Sequence, residues 1–152
     1  MENKNQKSID ALNGLIEINN DRVDGYEKAA VTENQNYQEL FRHFANQSRM
    51  NLPLLKQEVV QLGGEPATGN TTKGKFYHAW MEIKTAIMGK ADNQAIINLC
   101  EFGEDAAVEA YDEALNTEGI LPSTRALITE QAKDIKAAHD QVKALKEVEA
   151  SK

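Results

Sequence analysis

The sequence contains a single cysteine, Cys100, so no disulfide can form within the chain. Only three prolines interrupt its 152 residues. No apolar run approaches the ~20 residues of a membrane-crossing helix. Nothing resembling the apolar core of a secretory leader precedes the first helical pattern, because residues 2–7 are all polar. Positive charge is also scarce: 17 lysines and arginines face 24 aspartates and glutamates, a formal net charge of −7. That balance argues against nucleic acid or an anionic membrane surface as the main partner. A cytoplasmic protein is the expectation by default.

What is present points to helices. Leu, Ala, Glu, Lys, Gln and Asn dominate, and the glycines gather at apparent breaks. The length suits one domain with its own core, and residues 1–152 are expected to form a single all-α domain. Helices are expected at about 8–31, 33–63, 75–89, 92–118 and 122–149.

The first helix is expected to start at Ser8 as N-cap. Its seam reads Ile9, Leu12, Ile16, Asn19, Val23, Tyr26 and Ala30, in steps of three and four. Gly25 lies inside it and is expected to relieve a close helix contact. Thr32 to Gln35 fits a capping box for the second helix. That helix presents Tyr37, Phe41, Phe44, Ser48, Leu52, Leu55, Val59 and Leu62, with Asn51 one turn past Ser48. Pro53 removes one backbone donor and predicts a kink. Gly63-Gly64-Glu65-Pro66 stops the helix.

A polar connection then leads to a short amphipathic helix carrying Phe76, Trp80, Ile83 and Ile87. Trp80 and this helix are expected to cover one end or edge of the molecule. The whole crossover is long enough to let the next helix run parallel to the second. Asp92 caps that next helix. Pro122 at the first helical position, or Ser123 as cap, opens the last one. The last helix has Ile128, Ile135 and Val142 on one seam, with Gln131, Ala138 and Leu145 alongside.

The seam Ile97, Cys100, Glu104, Ala107, Tyr111, Ala114 organises the rest. A carboxylate, Glu104, sits in the middle of an apolar stripe. It must find a cation, a hydrogen bond or a metal, or lose its charge. A weak repeat links the halves: Asn19, Val23 and Tyr26 align with Glu104, Val108 and Tyr111. Two helix hairpins related by a pseudo-two-fold and joined by a crossover are therefore expected, together a four-helix bundle. Tyr26 and Tyr111 are expected to pair in its core with hydroxyls on polar partners. Glu17, Asp21, Asp24 and Glu27 are expected on a solvated face, and Cys100 reads as a small buried hydrophobe.

Three sets of residues carry a family resemblance. They are Leu12-Asn13-Gly14-Leu15-Ile16 with polar Asn19 and Tyr26; Leu62-Gly63-Gly64-Glu65-Pro66; and Trp80-Met81-Glu82-Ile83-Lys84 with Cys100 to Ala107 and Ala137-Ala138-His139-Asp140. Over about residues 8–148 the chain resembles a bacterial family of four-helix-bundle proteins in the ferritin-like superfamily, known as a domain of unknown function. The resemblance implies a ferritin-like bundle with a short extra helix in its crossover.

In that superfamily, glutamates and Glu-x-x-His pairs from four helices hold two metals. The first-helix glutamate falls on Asn19. The second-helix Glu-x-x-His falls on Ser48 and Asn51. The third-helix glutamate falls on Glu104, and the last Glu-x-x-His on Lys136 and His139. Only Glu104 and His139 keep a ligand type, so most of the anionic charge that would hold two divalent ions is gone.

The expectation is a polar core at these six positions: Glu104 pairs with His139, and Asn19, Ser48 and Asn51 complete the hydrogen bonds. Lys136, one step off the Ile135 seam, either joins them or points to solvent. No cofactor is expected, and no catalytic residue. The chain is read as a non-catalytic bundle that acts through self-association, such as a homodimer, or through a protein partner. The alternative is an iron-, manganese- or zinc-binding oxidoreductase or storage relative with a reduced site at Glu104 and His139. A small-molecule carrier with a cavity beside the polar core is a third reading.

Overall fold

The computed structural model describes residues 5–30, 35–89 and 92–152. Among them are five α-helices and no strand: α1 (Gln6–Ala29), α2 (Gln35–Gln61), α3 (Gly74–Met88), α4 (Asn93–Leu115) and α5 (Pro122–Ala150). The Thr32 capping box and the side chain of Ile87 lie outside the described residues.

Each helix follows its apolar period, and its ends follow local chemistry. Asp92 caps α4 by accepting from the Ala95 amide at 2.9 Å. Pro122 stands at the start of α5, where its missing N–H has no partner to lose. Gly63, at φ +86°, takes the left-handed conformation after α2. Its amide bonds the Val60 carbonyl and that of Gly64 bonds Val59, so the freed carbonyls are satisfied. Pro53 lies inside a continuous α2.

Ser8 does not cap α1, which begins two residues earlier. The Ser8 side chain is buried instead and accepts the Leu121 amide at 3.0 Å, tying α1 to the start of α5. A serine hydroxyl suits both duties, and only the neighbouring chain decides between them.

α1 packs most extensively on α2, and α4 on α5. Directions follow from the pairs that meet. Asn5 donates to the Leu62 carbonyl and Arg22 to Ser48, so α1 and α2 run oppositely. Tyr111 meets Gln131 while Glu101 meets Lys146, so α4 and α5 do as well. Asn19 meets Tyr111 and Arg22 meets Glu104, which sets α4 against α1. α4 therefore runs parallel to α2, as the crossover length predicts.

The crossover is fastened along α1. Asn13 donates to the Glu65 carbonyl and accepts from the Ala67 amide, and Asn20 donates to the Gly69 carbonyl. Asp21 accepts from Asn70 at 2.7 Å and from the Thr71 hydroxyl and amide. Asp21 is thus buried beneath the connection, not on a solvated face.

α3 packs along α1 and α4 and covers that side, and its Trp80, 2% exposed, inserts between the two helices. A Cβ on Gly25 would fall 1.8 Å from its Cε3 atom, and one on Gly103 would fall 3.1 Å from its Cε2 atom. Both helices drop a side chain where the indole passes. Tyr26, Phe41 and Phe44 complete the aromatic cluster, with Tyr26 and Trp80 edge to face at 5.0 Å.

Candidate functional site: a buried polar core

Glu104 and Arg22 are both fully buried. Their side chains meet in a two-point contact. Arg22 Nε donates to Glu104 Oε2 and Nη2 donates to Oε1, each at 3.0 Å. The planar guanidinium matches the carboxylate, and its outer nitrogens are used too. Nη1 donates to Ser48 Oγ at 2.6 Å, and Nη2 also reaches Gln47 Oε1 at 3.3 Å. Three helices thereby share one cation: α1 supplies it, α4 neutralises it, and α2 completes its hydrogen bonds. The guanidinium carbon also lies 5.4 Å from the centre of the Tyr26 ring. Burial pushes Arg22 toward neutrality, but the Glu104 carboxylate outweighs it and holds the guanidinium above its usual pKa.

One turn away lies a second, uncharged layer. Asn19 Nδ2 donates to Tyr111 Oη at 2.9 Å and to the Leu15 carbonyl at 2.8 Å. Tyr111 donates to Gln131 Oε1 at 2.8 Å. Asn51 donates to Asn19 Oδ1, and Gln131 Nε2 donates to the Asn51 carbonyl, both at 3.2 Å. These side chains come from α1, α2, α4 and α5 and are all buried. Burial pushes the Tyr111 pKa up to about 12, so it remains a donor at neutral pH.

Asn19, Ser48, Asn51 and Glu104 therefore meet at the centre. Lys136 and His139 do not join them. The Lys136 side chain is 63% exposed and reaches Asp140 at 3.5 Å. His139 sits at the α4–α5 seam near the surface. Its Nε2 lies 2.5 Å from Asp105 Oδ1, and its Nδ1 lies 3.0 Å from Asp140 Oδ1. The imidazole thus faces the residue after Glu104. Helix geometry explains this, since successive residues point about 100° apart.

The sequence reading misses Arg22 and the partner of Gln131. Arg22 sits among Asp21, Val23 and Asp24 and looks like part of a polar face. Yet Asn19, Arg22 and Tyr26 are spaced three and four apart, which puts Arg22 on the Asn19 seam. The demand of Glu104 for a cation was the second available signal. Gln131 lies on a seam in the sequence, but nothing there pairs it with Tyr111, which is expected beside Tyr26. Tyr26 instead packs among Phe41, Phe44 and Trp80. Among the described residues, its hydroxyl and Trp80 Nε1 are buried without a hydrogen-bond partner. Burial, and then the nearby Glu104 carboxylate, hold the Tyr26 pKa well above its ordinary value.

Cys100 is a buried thiol beside the same carboxylate, and both effects raise its pKa, burial more strongly. The neutral thiol is a poor nucleophile. Among the described residues, no three or more His, Cys, Asp or Glu side chains come together as a metal-binding group. No helix there is long and apolar enough to cross a membrane.

Residues 7–117 match a protein family described as a domain of unknown function, DUF2383, and the chain belongs to that family. No curated protein matches the chain.

Proposed function

We propose that the four long helices form a ferritin-like bundle in which a side-chain cation stands where the superfamily keeps metals. The protein is a non-catalytic member that acts in the cytoplasm through its surface, by self-association or by binding a protein partner. The observation that carries this reading is the buried Arg22 guanidinium, bonded to Glu104 and Ser48. Both of those positions align with metal ligands of the superfamily.

Donor chemistry supports it. The positions that would supply carboxylates hold Asn19, Ser48 and Lys136, and the carboxylate that remains, Glu104, is already neutralised. A divalent ion here would meet a fixed positive charge and mostly neutral oxygens, so these residues do not suit a pair of metals. A reduced site at Glu104 and His139 is disfavoured for another reason: each side chain already has its own oppositely charged or hydrogen-bonding partner.

Elemental analysis tests the reading. The purified protein is loaded with iron, manganese or zinc and desalted. Near-zero metal is expected each time. About one ion per chain, lost in Glu104→Ala, would overturn the proposal.

A further inference from the structure

Buried donors without acceptors are rare in folded proteins, and each calls for a partner. Among the described residues, two buried side-chain polar atoms have none: the Tyr26 hydroxyl and Trp80 Nε1. The two rings pack edge to face with centroids 5.0 Å apart, and both side chains are buried. Both groups border the same turn of α4. The Glu104 carboxylate and the Cys100 thiol act electrostatically on the Tyr26 hydroxyl. Trp80 Nε1 would lie 3.3 Å from a Cβ on Gly103, so the glycine leaves the indole N–H facing a bare stretch of α4. Glu104 has acceptor capacity to spare. A carboxylate offers about four lone-pair sites, and Arg22 occupies one on each oxygen.

We infer that a single internal water molecule is bound at this turn, accepting from Trp80 Nε1 and Tyr26 Oη and donating to Glu104. The donor set selects it. An indole N–H can only donate, and a phenol beside a carboxylate is best satisfied as a donor too. A cation would meet those inward hydrogens, and the carboxylate there is already paired with Arg22. An anion would meet Glu104 at close range. A small neutral molecule with both lone pairs and hydrogens meets neither objection, and about three hydrogen bonds are what a buried water makes. The inference does not depend on how the protein uses its surface. It extends the polar core, where α1, α2, α4 and α5 already share side-chain hydrogen bonds. The water brings in α3, which Lys84 also ties to Asp24 of α1 at the surface, at 2.6 Å.

The chain has one tryptophan, so its single indole N–H resonance reports on the site without ambiguity. The test is a nitrogen-edited nuclear Overhauser measurement between that proton and the water resonance, on the full chain. A direct cross-peak is expected, with the sign of a water held longer than the molecule takes to tumble. Tyr26→Phe leaves Trp80 and Glu104 as partners and should keep the cross-peak, with helical circular dichroism unchanged. A crystal structure that shows ordered water should place one oxygen about 2.9 Å from Nε1 and about 2.7 Å from a Glu104 oxygen. Absence of the cross-peak would overturn the inference. So would its loss in Tyr26→Phe, which assigns the signal to the exchanging hydroxyl, or a crystal structure in which Nε1 donates to a protein group.

Discussion

Arg22 and Glu104 are each tolerable in the interior only because of the other. Replacing Arg22 by alanine strands a carboxylate away from water, and the expected loss is about 3–5 kcal/mol in urea denaturation. Replacing both, Arg22→Met with Glu104→Leu, should recover most of that loss or exceed the starting stability. Additive losses would contradict a true pair. The glycines offer a test of opposite signs. Gly14 is exposed and a Cβ added there would meet nothing within 4 Å, so Gly14→Ala should stabilise α1 by about 0.5–1 kcal/mol. Gly25→Ala has the same helical gain, but its methyl would overlap the Trp80 ring, so a lower melting temperature is expected. This was partly legible in the sequence, since a glycine inside a strong helix pattern suggested close approach. Which partner approached was not, because Trp80 is 55 residues away in the chain. Arg22 was hidden for a different reason. Charge is normally solvated, so its spacing on the Asn19 seam is masked by its polar neighbours Asp21 and Asp24.

At the scale of elements, the helices and their inward seams could be read because periodicity survives without tertiary information. Their ends and outer faces could not. Ser8 reads as a cap until another segment brings its amide. Asp21 reads as solvated until the crossover folds over it. Burial raises the Asp21 pKa even though Thr71 and Asn70 hydrogen-bond to it. Asp21→Ala should therefore loosen the connection, seen as faster amide exchange at Thr71 with little change in α4 and α5. The α4–α5 seam should respond to pH through His139. Partial burial lowers its pKa, but hydrogen bonds to Asp140 and Asp105 outweigh this and hold it above its ordinary value of 6.5. Its charged form is thus favoured by folding. The contribution is complete below an unfolded pKa of about 6.5 and is lost as pH rises through the higher folded value. Melting temperature followed from pH 5 to 9 should fall more for the native chain than for His139→Gln over that window. Parallel curves would remove His139 from the account.

For the whole molecule, Trp80 links the halves, since one indole fills the gap left by glycines on α1 and α4. Trp80→Ala should cost about 3–5 kcal/mol and lower a single cooperative transition, with α1 and α4 losing exchange protection together. Loss confined to α3 would show that α3 is an appendage. The buried ion pair has a further consequence, in time. Arg22 and Glu104 are 82 residues apart in the chain. At ordinary ribosomal rates the arginine exists for roughly 4–16 s before its carboxylate is even polymerised. Throughout that interval Arg22 can already donate to Ser48 of α2, but the side of the guanidinium that Glu104 will cover faces water. The first hairpin therefore presents a hydrated cation on its inner face, and the core becomes dry there only when α4 brings the carboxylate.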